Sequence, residues 1–224
     1  MSALKGGPVW FFDLDDTLHN ASARIFPQMR TAMADYMVEH VGVDAEEAGR
    51  LRQLYVRLYG NTMLGLVRHH EVSSAHFLRE THRFDDLEAM VHGHAHDLAA
   101  LRRLPGRKFL LTNAPEAYAR RVLAALGMER CFEAVIAVEQ MAMFGQLRPK
   151  PDARMFRHLL ARLKLMPSRC ILVEDTLEHQ KAARGLGMKT VWMQRWSRGA
   201  AHPGLRRRPV YVGRRVSKLA ALLR

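Results

Sequence analysis

One short segment constrains this chain more than any other: an apolar run that ends in two carboxylates one residue apart. Residues 9–12 (VWFF) have the composition of a buried strand, and Asp13 and Asp15 follow. Side chains alternate along an extended chain, and ligands of open α/β sheets bind outside the carboxyl ends of the strands. Two like charges so placed repel each other unless a cation or a phosphoryl group lies between them. The segment therefore indicates hard-metal and phosphate chemistry.

Three later segments favour an active site over the alternative, an ordinary acidic junction between a strand and a turn. Each is weak alone, because a Thr-Asn strand end often caps a helix and a single lysine is usually solvated. Together they form one constellation, because each lies at the end of a strand or at the start of a helix. They are residues 109–113, which end in Thr112 and Asn113; Lys150 in the turn RPKP; and residues 170–175, which end in Glu174 and Asp175.

This constellation resembles the haloacid dehalogenase-like (HAD) hydrolase superfamily, and the resemblance extends from about residue 9 to residue 223. Residues 13–20 (DLDDTLHN) and 59–66 (YGNTMLGL) look most like the pyrimidine 5'-nucleotidase branch. One departure is His179, because family members often carry Asn at that position. The family pattern is DxDxT, a strand-end Thr or Ser, a Lys before a helix and a terminal acidic pair, matched here by Asp13, Asp15 and Thr17, Thr112, Lys150, and Glu174 with Asp175.

The resemblance implies a phosphomonoesterase that hydrolyses nucleoside 5'-monophosphates, UMP or CMP above all, through an aspartyl-phosphate. It makes Asp13 the nucleophile and Asp15 the general acid and base. Lys150 is expected to offset charge, while Thr112 and the backbone N–H groups of Asp15 and Asn113 hold the phosphoryl oxygens. Relatives that cleave carbon–halogen bonds lack an acid at the second position, which disfavours dehalogenation.

The resemblance also implies Mg²⁺ as the cofactor, a cation that prefers an octahedron of oxygen ligands. The expected ligands are Asp13, the backbone carbonyl of Asp15, Asp175, and Glu174 directly or through water. The residues expected to contact the rest of the substrate are Asn113, His19, Tyr59 and Thr62. For Tyr59 the alternative is simple packing among helices.

The predicted fold class is α/β: a doubly wound, parallel-sheet, Rossmann-like HAD core with an inserted all-helical cap. The apolar pattern is helical over residues 19–104, whereas strands and helices alternate afterwards, which implies a parallel sheet covered by helices. The predicted domains are residues 1–18 with 105–224 for the core, and 19–104 for the cap. The predicted strands are residues 9–12, 109–112, 134–138, 170–174, 189–193 and 210–212, and a last helix covers residues 217–223.

Capping signals divide the predicted cap. Asp44 with Glu47, and Asp85 with Glu88, have the spacing of capping boxes, and the second box predicts one helix that continues to Leu101. That helix would carry three alternate histidines, residues 92–96 (HGHAH), which raise a second metal hypothesis. No acid or cysteine nearby completes such a site, so an ordinary helix is the preferred interpretation.

The net charge of +13 raises nucleic acid as a partner. Nine of the cations lie within residues 195–224, where there is no acid. A basic terminal segment is usually a solvated surface, so we predict no specific nucleic-acid partner. Residues 196–209, rich in Gly, Pro and Arg, are predicted to form a mobile loop.

Cysteine content and hydropathy indicate a compartment. Cys131 and Cys170 form no disulfide framework, no segment has the length of a membrane span, and residues 1–7 lack a signal-peptide core. We therefore expect a cytoplasmic protein with no membrane partner, acting on a small phosphorylated metabolite. Two alternatives stay open beside the nucleotidase: a broad phosphatase for small sugar phosphates, and a non-catalytic basic regulatory protein. The oligomeric state stays open as well.

Overall fold

The computed structural model describes residues 7–196 and 208–224. Most of the predicted mobile loop, including Arg198, Arg206 and Arg207, lies outside the described residues. The chain divides into two compact units, Met1–Ser22 with Val91–Arg224, and Ala23–Met90. Nowhere in the described ranges does a helix combine the length and the apolar character needed to cross a membrane.

The first unit is built on a parallel sheet. Its strands and those of a separate hairpin are β1 (Val9–Phe12), β2 (Arg107–Leu111), β3 (Ala134–Ile136), β4 (Ala142–Met143), β5 (Gln146–Leu147), β6 (Cys170–Glu174), β7 (Lys189–Met193) and β8 (Arg214–Val216). The strand order of the sheet is β3-β2-β1-β6-β7-β8, and β4 and β5 form the antiparallel hairpin. This sheet, flanked by helices, confirms the predicted fold class.

The α-helices connect these strands in the first unit and make up the second. They are α1 (Ala21–Val41), α2 (Ala45–Tyr59), α3 (Thr62–His70), α4 (Ser74–Thr81), α5 (Leu87–Met90), α6 (Ala95–Arg103), α7 (Glu116–Ala125), α8 (Ala153–Arg162) and α9 (Leu177–Gly185).

The core of the first unit follows from continuous apolar strands. Every residue of β1 is buried, as expected for a strand covered on both faces of a parallel sheet. Phe11 lies opposite Phe109 of β2 and Leu172 of β6, and the two phenyl rings stack with centroids 5.4 Å apart. The parallel register ends the three strands at one edge, which places Asp13 beside the last residues of β2 and β6.

The second unit is entirely helical. Asp44 begins α2, where its side chain accepts a hydrogen bond from the Glu47 N–H at 2.8 Å, as the sequence predicts. Asn61 caps α3 in the same way. A Cβ added at Gly65 of α3 would lie 2.0 Å from the ring of Tyr55, so the two helices approach closely at this glycine.

The predicted single helix from Asp85 to Leu101 is wrong, because it is interrupted between α5 and α6. His92 and His94 lie outside any helix, so the predicted histidine-bearing helix face does not form. The His92 carbonyl accepts a hydrogen bond from the Asn20 N–H at 2.9 Å, and a Cβ on Gly93 would lie 2.4 Å from a methyl carbon of Leu126. Tertiary contacts of the segment between α5 and α6 therefore override the local helical pattern.

The boundaries of the compact units differ from the predicted domain limits. The division falls after Ser22 and after Met90, whereas the sequence pattern places it after residues 18 and 104. The difference is mainly α6, which belongs to the first unit. There the buried Asp97 pairs with the guanidinium of Arg195 and accepts a hydrogen bond from the Leu219 N–H at 3.2 Å. That the helical unit serves as a cap stays a prediction.

The last predicted strand is displaced. Residues 210–212 lie in a turn, and β8 pairs with β7 instead, while residues 219–223 form a 3-10 turn. The cause is the close approach at Gly213, whose N–H donates to Thr190 Oγ1 at 2.9 Å. A Cβ at Gly213 would lie 2.7 Å from the Thr190 carbonyl oxygen, so the chain pairs with β7 only after this contact.

The contact at Gly65 predicts opposite effects for two glycine-to-alanine substitutions in neighbouring helices. Gly65→Ala should destabilise the protein by about 1 to 3 kcal/mol, because the added methyl overlaps the ring of Tyr55. Gly49→Ala, where nothing lies within 4 Å, should stabilise it by up to about 1 kcal/mol through helix propensity. Urea unfolding of both variants measures the difference, and equal free-energy changes would contradict the packing described here.

Candidate active site

The loop after β1 is shaped by a residue that the sequence analysis missed. Asp16 adopts a left-handed conformation (φ 55°), a region that Asp tolerates better than most side chains. Its carboxylate accepts hydrogen bonds from the Ser22 N–H, at 2.9 Å, and from the Ser22 hydroxyl in the first turn of α1. Asp16 therefore turns the chain between the two candidate catalytic carboxylates and the first helix. The only signal for this role was a third acid a few residues before the first helix.

Lys150 connects the ends of two strands. The side chain is buried, and its ammonium donates to Asp13 Oδ1 and to Glu174 Oε2, each at 2.7 Å. Its backbone is fixed by Asn113, whose amide donates to the Lys150 carbonyl and accepts from the Lys150 N–H, each at 2.9 Å. The structure thus brings these four predicted residues together. The side chain of Asn113, which was expected to contact the substrate, bonds to the lysine backbone instead.

Burial and mutual repulsion dominate the electrostatics of this cluster. Burial raises the pKa of Asp13, the charge of Glu174 raises it further, and Lys150 opposes both. Burial would also raise the pKa of Glu174, but Lys150 and His179 outweigh it and lower that pKa. The pKa of Asp175 is raised well above its ordinary value, first by burial and then by Glu174. One lysine is therefore not enough to keep all three carboxyl groups ionised.

The same three carboxylates have the spacing of a metal site. Oxygens of Asp13, Glu174 and Asp175 lie within 4.8 Å of one another, and this is the one such group in the described parts of the chain. Hard oxygen donors in excess of the local positive charge suit Mg²⁺. The residues present therefore fit the implied cation, whose charge would complete the ionisation of the three acids. The side chain of Asp15 does not belong to the group.

Asp15 has its own set of partners. Its Oδ1 accepts a hydrogen bond from the Tyr118 hydroxyl at 2.7 Å and lies 2.8 Å from Nε2 of His19. Both partners are buried, and burial, followed by the charge of Asp15, raises the pKa of Tyr118 so that the phenol stays protonated. His19, predicted to contact the substrate, thus contacts the candidate general acid. Tyr118 was missed, because a tyrosine on the apolar face of a helix is predicted to be an ordinary core residue.

Two buried threonines lie in the first unit at matched motif positions. Thr112 directly follows β2, and its Oγ1 accepts a hydrogen bond from the Ala114 N–H at 3.0 Å, so the hydroxyl can donate its own proton to a phosphoryl oxygen. Thr17 Oγ1 is one of the few buried polar atoms in the described chain that lack a hydrogen-bond partner. His179, at the position of the family Asn, places Nδ1 2.9 Å from Glu174 Oε2.

The two predicted substrate contacts in the helical unit are engaged within that unit. The Tyr59 hydroxyl bonds to His69 Nε2 at 2.6 Å, and the guanidinium of Arg68 lies over the Tyr59 ring, 5.4 Å from its centroid. Thr62 is buried at the start of α3. A role for either residue in substrate binding stays a prediction.

Comparison with known proteins identifies a family. The model of a family described as haloacid dehalogenase-like hydrolase matches residues 9–187, a range that includes every residue of the site described above. The chain is 31% identical over 64 residues to Phosphate metabolism protein 8 of Saccharomyces cerevisiae, which is 29% of this chain and 20% of that protein. The chain therefore spans about a fifth of the length of this relative.

Two further similarities cover most of the chain. It is 25% identical over 203 residues to the Glyceraldehyde 3-phosphate phosphatase of Pyrococcus furiosus, covering 83% of this chain and 80% of that protein. Among solved structures, it is similar to CbbY from Rhodobacter sphaeroides in complex with xylulose-(1,5)bisphosphate, with a TM-score of 0.64, 21% identity and 95% coverage of each chain. At that identity the structural match shows the fold.

The bridging position of Lys150 predicts a cation-dependent stability defect. Lys150→Met leaves Asp13 and Glu174 buried without their shared partner, so it should lower the free energy of unfolding in EDTA by about 3 to 5 kcal/mol. Mg²⁺ should recover part of this loss, because a bound cation replaces the missing charge. The measurement is urea unfolding of the variant in EDTA and in Mg²⁺.

The exposed Lys181 of α9 supplies the matched control. Lys181→Met should change the free energy of unfolding by less than about 0.5 kcal/mol, with no dependence on Mg²⁺. A Lys150→Met loss equally small would show that the lysine does not neutralise the two carboxylates.

Proposed function

The chain belongs to the haloacid dehalogenase-like hydrolases, and we propose that it is a Mg²⁺-dependent phosphomonoesterase that works through an aspartyl-phosphate on Asp13. The observation that carries this proposal is the pair of neighbouring but separate carboxylate environments. Asp13 contacts Lys150 and belongs to the acidic group, whereas Asp15 bonds to Tyr118 and His19. Two carboxyl groups with different surroundings suit two different roles, a nucleophile and an acid.

In the proposed first step, an oxygen of Asp13 attacks the phosphorus of the substrate. The bond from Asp13 to phosphorus forms as the bond from phosphorus to the ester oxygen breaks. Asp15 gives its proton to the departing oxygen, which leaves as an alcohol. Lys150 stays in contact with Asp13 and offsets the negative charge of the phosphoryl group, and the Thr112 hydroxyl donates to one of its oxygens.

In the proposed second step, water attacks the phosphorus of the aspartyl-phosphate. Asp15, now a carboxylate, takes a proton from the water as the new oxygen–phosphorus bond forms and the bond to Asp13 breaks. The products are inorganic phosphate and the original pair, an ionised Asp13 and a protonated Asp15. No redox partner or further co-substrate is needed.

The proposed metal ligands are Asp13, Asp175, the backbone carbonyl of Asp15, and Glu174 directly or through water. Bound Mg²⁺ would supply positive charge against the phosphoryl oxygens and favour the ionised form of Asp13. Lys150, which contacts both Asp13 and Glu174, supplies part of the required positive charge from the chain itself.

For the substrate, we propose nucleoside 5'-monophosphates, with the pyrimidine nucleotides UMP and CMP first. The support is the similarity of residues 13–20 and 59–66 to the pyrimidine 5'-nucleotidase branch. Among the described residues, those of the core site named above suit a phosphoryl ester, and none of them selects a particular alcohol. Selection among alcohols is therefore proposed to depend on the helical unit.

A second candidate substrate class, small sugar phosphates, is favoured by the comparisons. The Pyrococcus relative is named for glyceraldehyde 3-phosphate, and the Rhodobacter structure contains xylulose-(1,5)bisphosphate. The chemistry proposed for Asp13 and Asp15 is the same for both classes. A regulatory protein without catalysis is disfavoured, because a buried repelling carboxylate cluster costs stability that only a reaction requires.

The proposed roles predict different defects for the two aspartates. Asp13→Asn should abolish both turnover and phosphoenzyme formation, because the phosphoryl acceptor is lost. Asp15→Asn should keep the nucleophile but slow the cleavage of UMP by about 10² to 10⁴, the usual worth of general acid–base catalysis. Burst kinetics on p-nitrophenyl phosphate, whose leaving group needs little protonation, should show a much smaller Asp15→Asn defect. Equal burst-phase losses on both esters would exclude Asp15 as the acid.

The proposed substrate class predicts a ranking of turnover. With Mg²⁺, UMP or CMP should be hydrolysed with higher kcat/KM than AMP, GMP, glucose 6-phosphate or glyceraldehyde 3-phosphate, and EDTA should stop phosphate release from all of them. Equal or better turnover of the sugar phosphates would overturn the nucleotidase assignment and leave the phosphatase assignment intact.

A further inference from the structure

We propose that Tyr118 and His19 are positioning residues that together hold one oxygen of Asp15, so that its other oxygen carries the proton to the leaving group. The inference rests on the proposed function, because it assigns how the acid of that reaction is oriented. It gives His19 a different role from the substrate contact predicted from its sequence position, and it gives a role to a tyrosine that belongs to no motif.

The geometry is specific to one atom. The Tyr118 hydroxyl donates to Asp15 Oδ1 at 2.7 Å, and His19 Nε2 lies 2.8 Å from the same Oδ1. The two partners come from different elements, since His19 belongs to the loop after β1 and Tyr118 to α7, 103 residues from Asp15 in sequence. Two donors from separate elements restrict the rotation of a carboxyl group far more than one does.

Burial makes the arrangement rigid. Tyr118 is 2% exposed and His19 is fully buried, whereas the Asp15 side chain retains 15% of its exposure. Only Asp15 in this trio is therefore open to a substrate. The second His19 nitrogen, Nδ1, is buried without a hydrogen-bond partner in the described chain, so Nε2 toward Asp15 carries the hydrogen bond of this ring.

The consequence for the chemistry concerns Oδ2 of Asp15. With Oδ1 accepting two hydrogen bonds, the acidic proton is placed on Oδ2. It passes to the ester oxygen as the phosphorus–oxygen bond breaks and returns from water in the second step. The protons of Tyr118 and His19 stay on their own atoms throughout. These residues therefore affect only steps in which Asp15 donates or accepts a proton. Their effect is larger for a leaving oxygen that needs protonation than for one that does not.

The test compares variants on two esters, p-nitrophenyl phosphate and either UMP or ribose 5-phosphate, whichever the wild type turns over faster. Tyr118→Phe removes one hydroxyl and should lower kcat on the alkyl ester by about tenfold, with about twofold or less on the aryl ester. Asp15 becomes a carboxylate as it gives up its proton, and in the variant that carboxylate lacks one charge-assisted hydrogen bond. His19→Leu should act likewise. His19→Gln, which can return an N–H donor near the position of Nε2, should recover part of the loss.

A coupled variant separates positioning from general destabilisation. If Tyr118 acts through Asp15, adding Tyr118→Phe to Asp15→Asn should produce no further loss in kcat on the alkyl ester. The control is Tyr36→Phe, which removes a similarly buried tyrosine hydroxyl that bonds to His76 at 2.8 Å within the helical unit. It should leave the ratio of the two rates unchanged. It should lower the midpoint of thermal unfolding by no more than Tyr118→Phe does.

The outcomes distinguish the two proposals. Equal losses on both esters for Tyr118→Phe, or an additive loss in the Asp15→Asn background, would overturn the positioning role while the phosphatase assignment stands. Absence of phosphate release from both esters by the wild-type protein with Mg²⁺ would overturn the proposed function and the inference with it. A selective, non-additive loss supports both.

Discussion

The rest of the core site depends on one buried ammonium group. Asp13 and Glu174 follow or end neighbouring parallel strands, so the sheet itself forces two carboxylates together where water is excluded. Repulsion between carboxylates is strong in such surroundings. The Lys150 ammonium, 2.7 Å from each, offsets it. Asn113 is as important as the acids in this respect, because it fixes the lysine backbone with two hydrogen bonds.

The sheet and the acidic edge could be predicted because they follow from local chemistry. Strands buried on both faces are continuous apolar runs, and in β1 and β6 the run stops where a carboxylate begins. Parallel pairing then brings the strand ends together without any further information. The meeting of Asp13 and Glu174 is therefore implied by two short segments, whereas the role of Lys150, 137 residues from Asp13, was implied by the family resemblance.

What the sequence could not predict depends on contacts between distant segments. Tyr118 lies on the apolar face of α7, and nothing in its local pattern indicates that its hydroxyl reaches Asp15. The break between α5 and α6 follows from the contact of Gly93 with Leu126, and the shift of the last strand follows from the contact of Gly213 with Thr190. In the last two cases a helical or strand pattern was correct as a propensity and was overridden by packing.

The helical unit poses a different problem for reading substrate choice from sequence. Its tyrosine hydroxyls already have hydrogen-bond partners. Tyr36, Tyr55 and Tyr59 each bond to a histidine of the same unit, at 2.6 to 2.8 Å. A substrate that engaged Tyr59 would have to replace the bond to His69, so the net gain from such a contact is small, about 1 kcal/mol. We therefore expect discrimination between a nucleoside and a sugar to depend less on any single hydroxyl than on the shape and apolar surface of the unit.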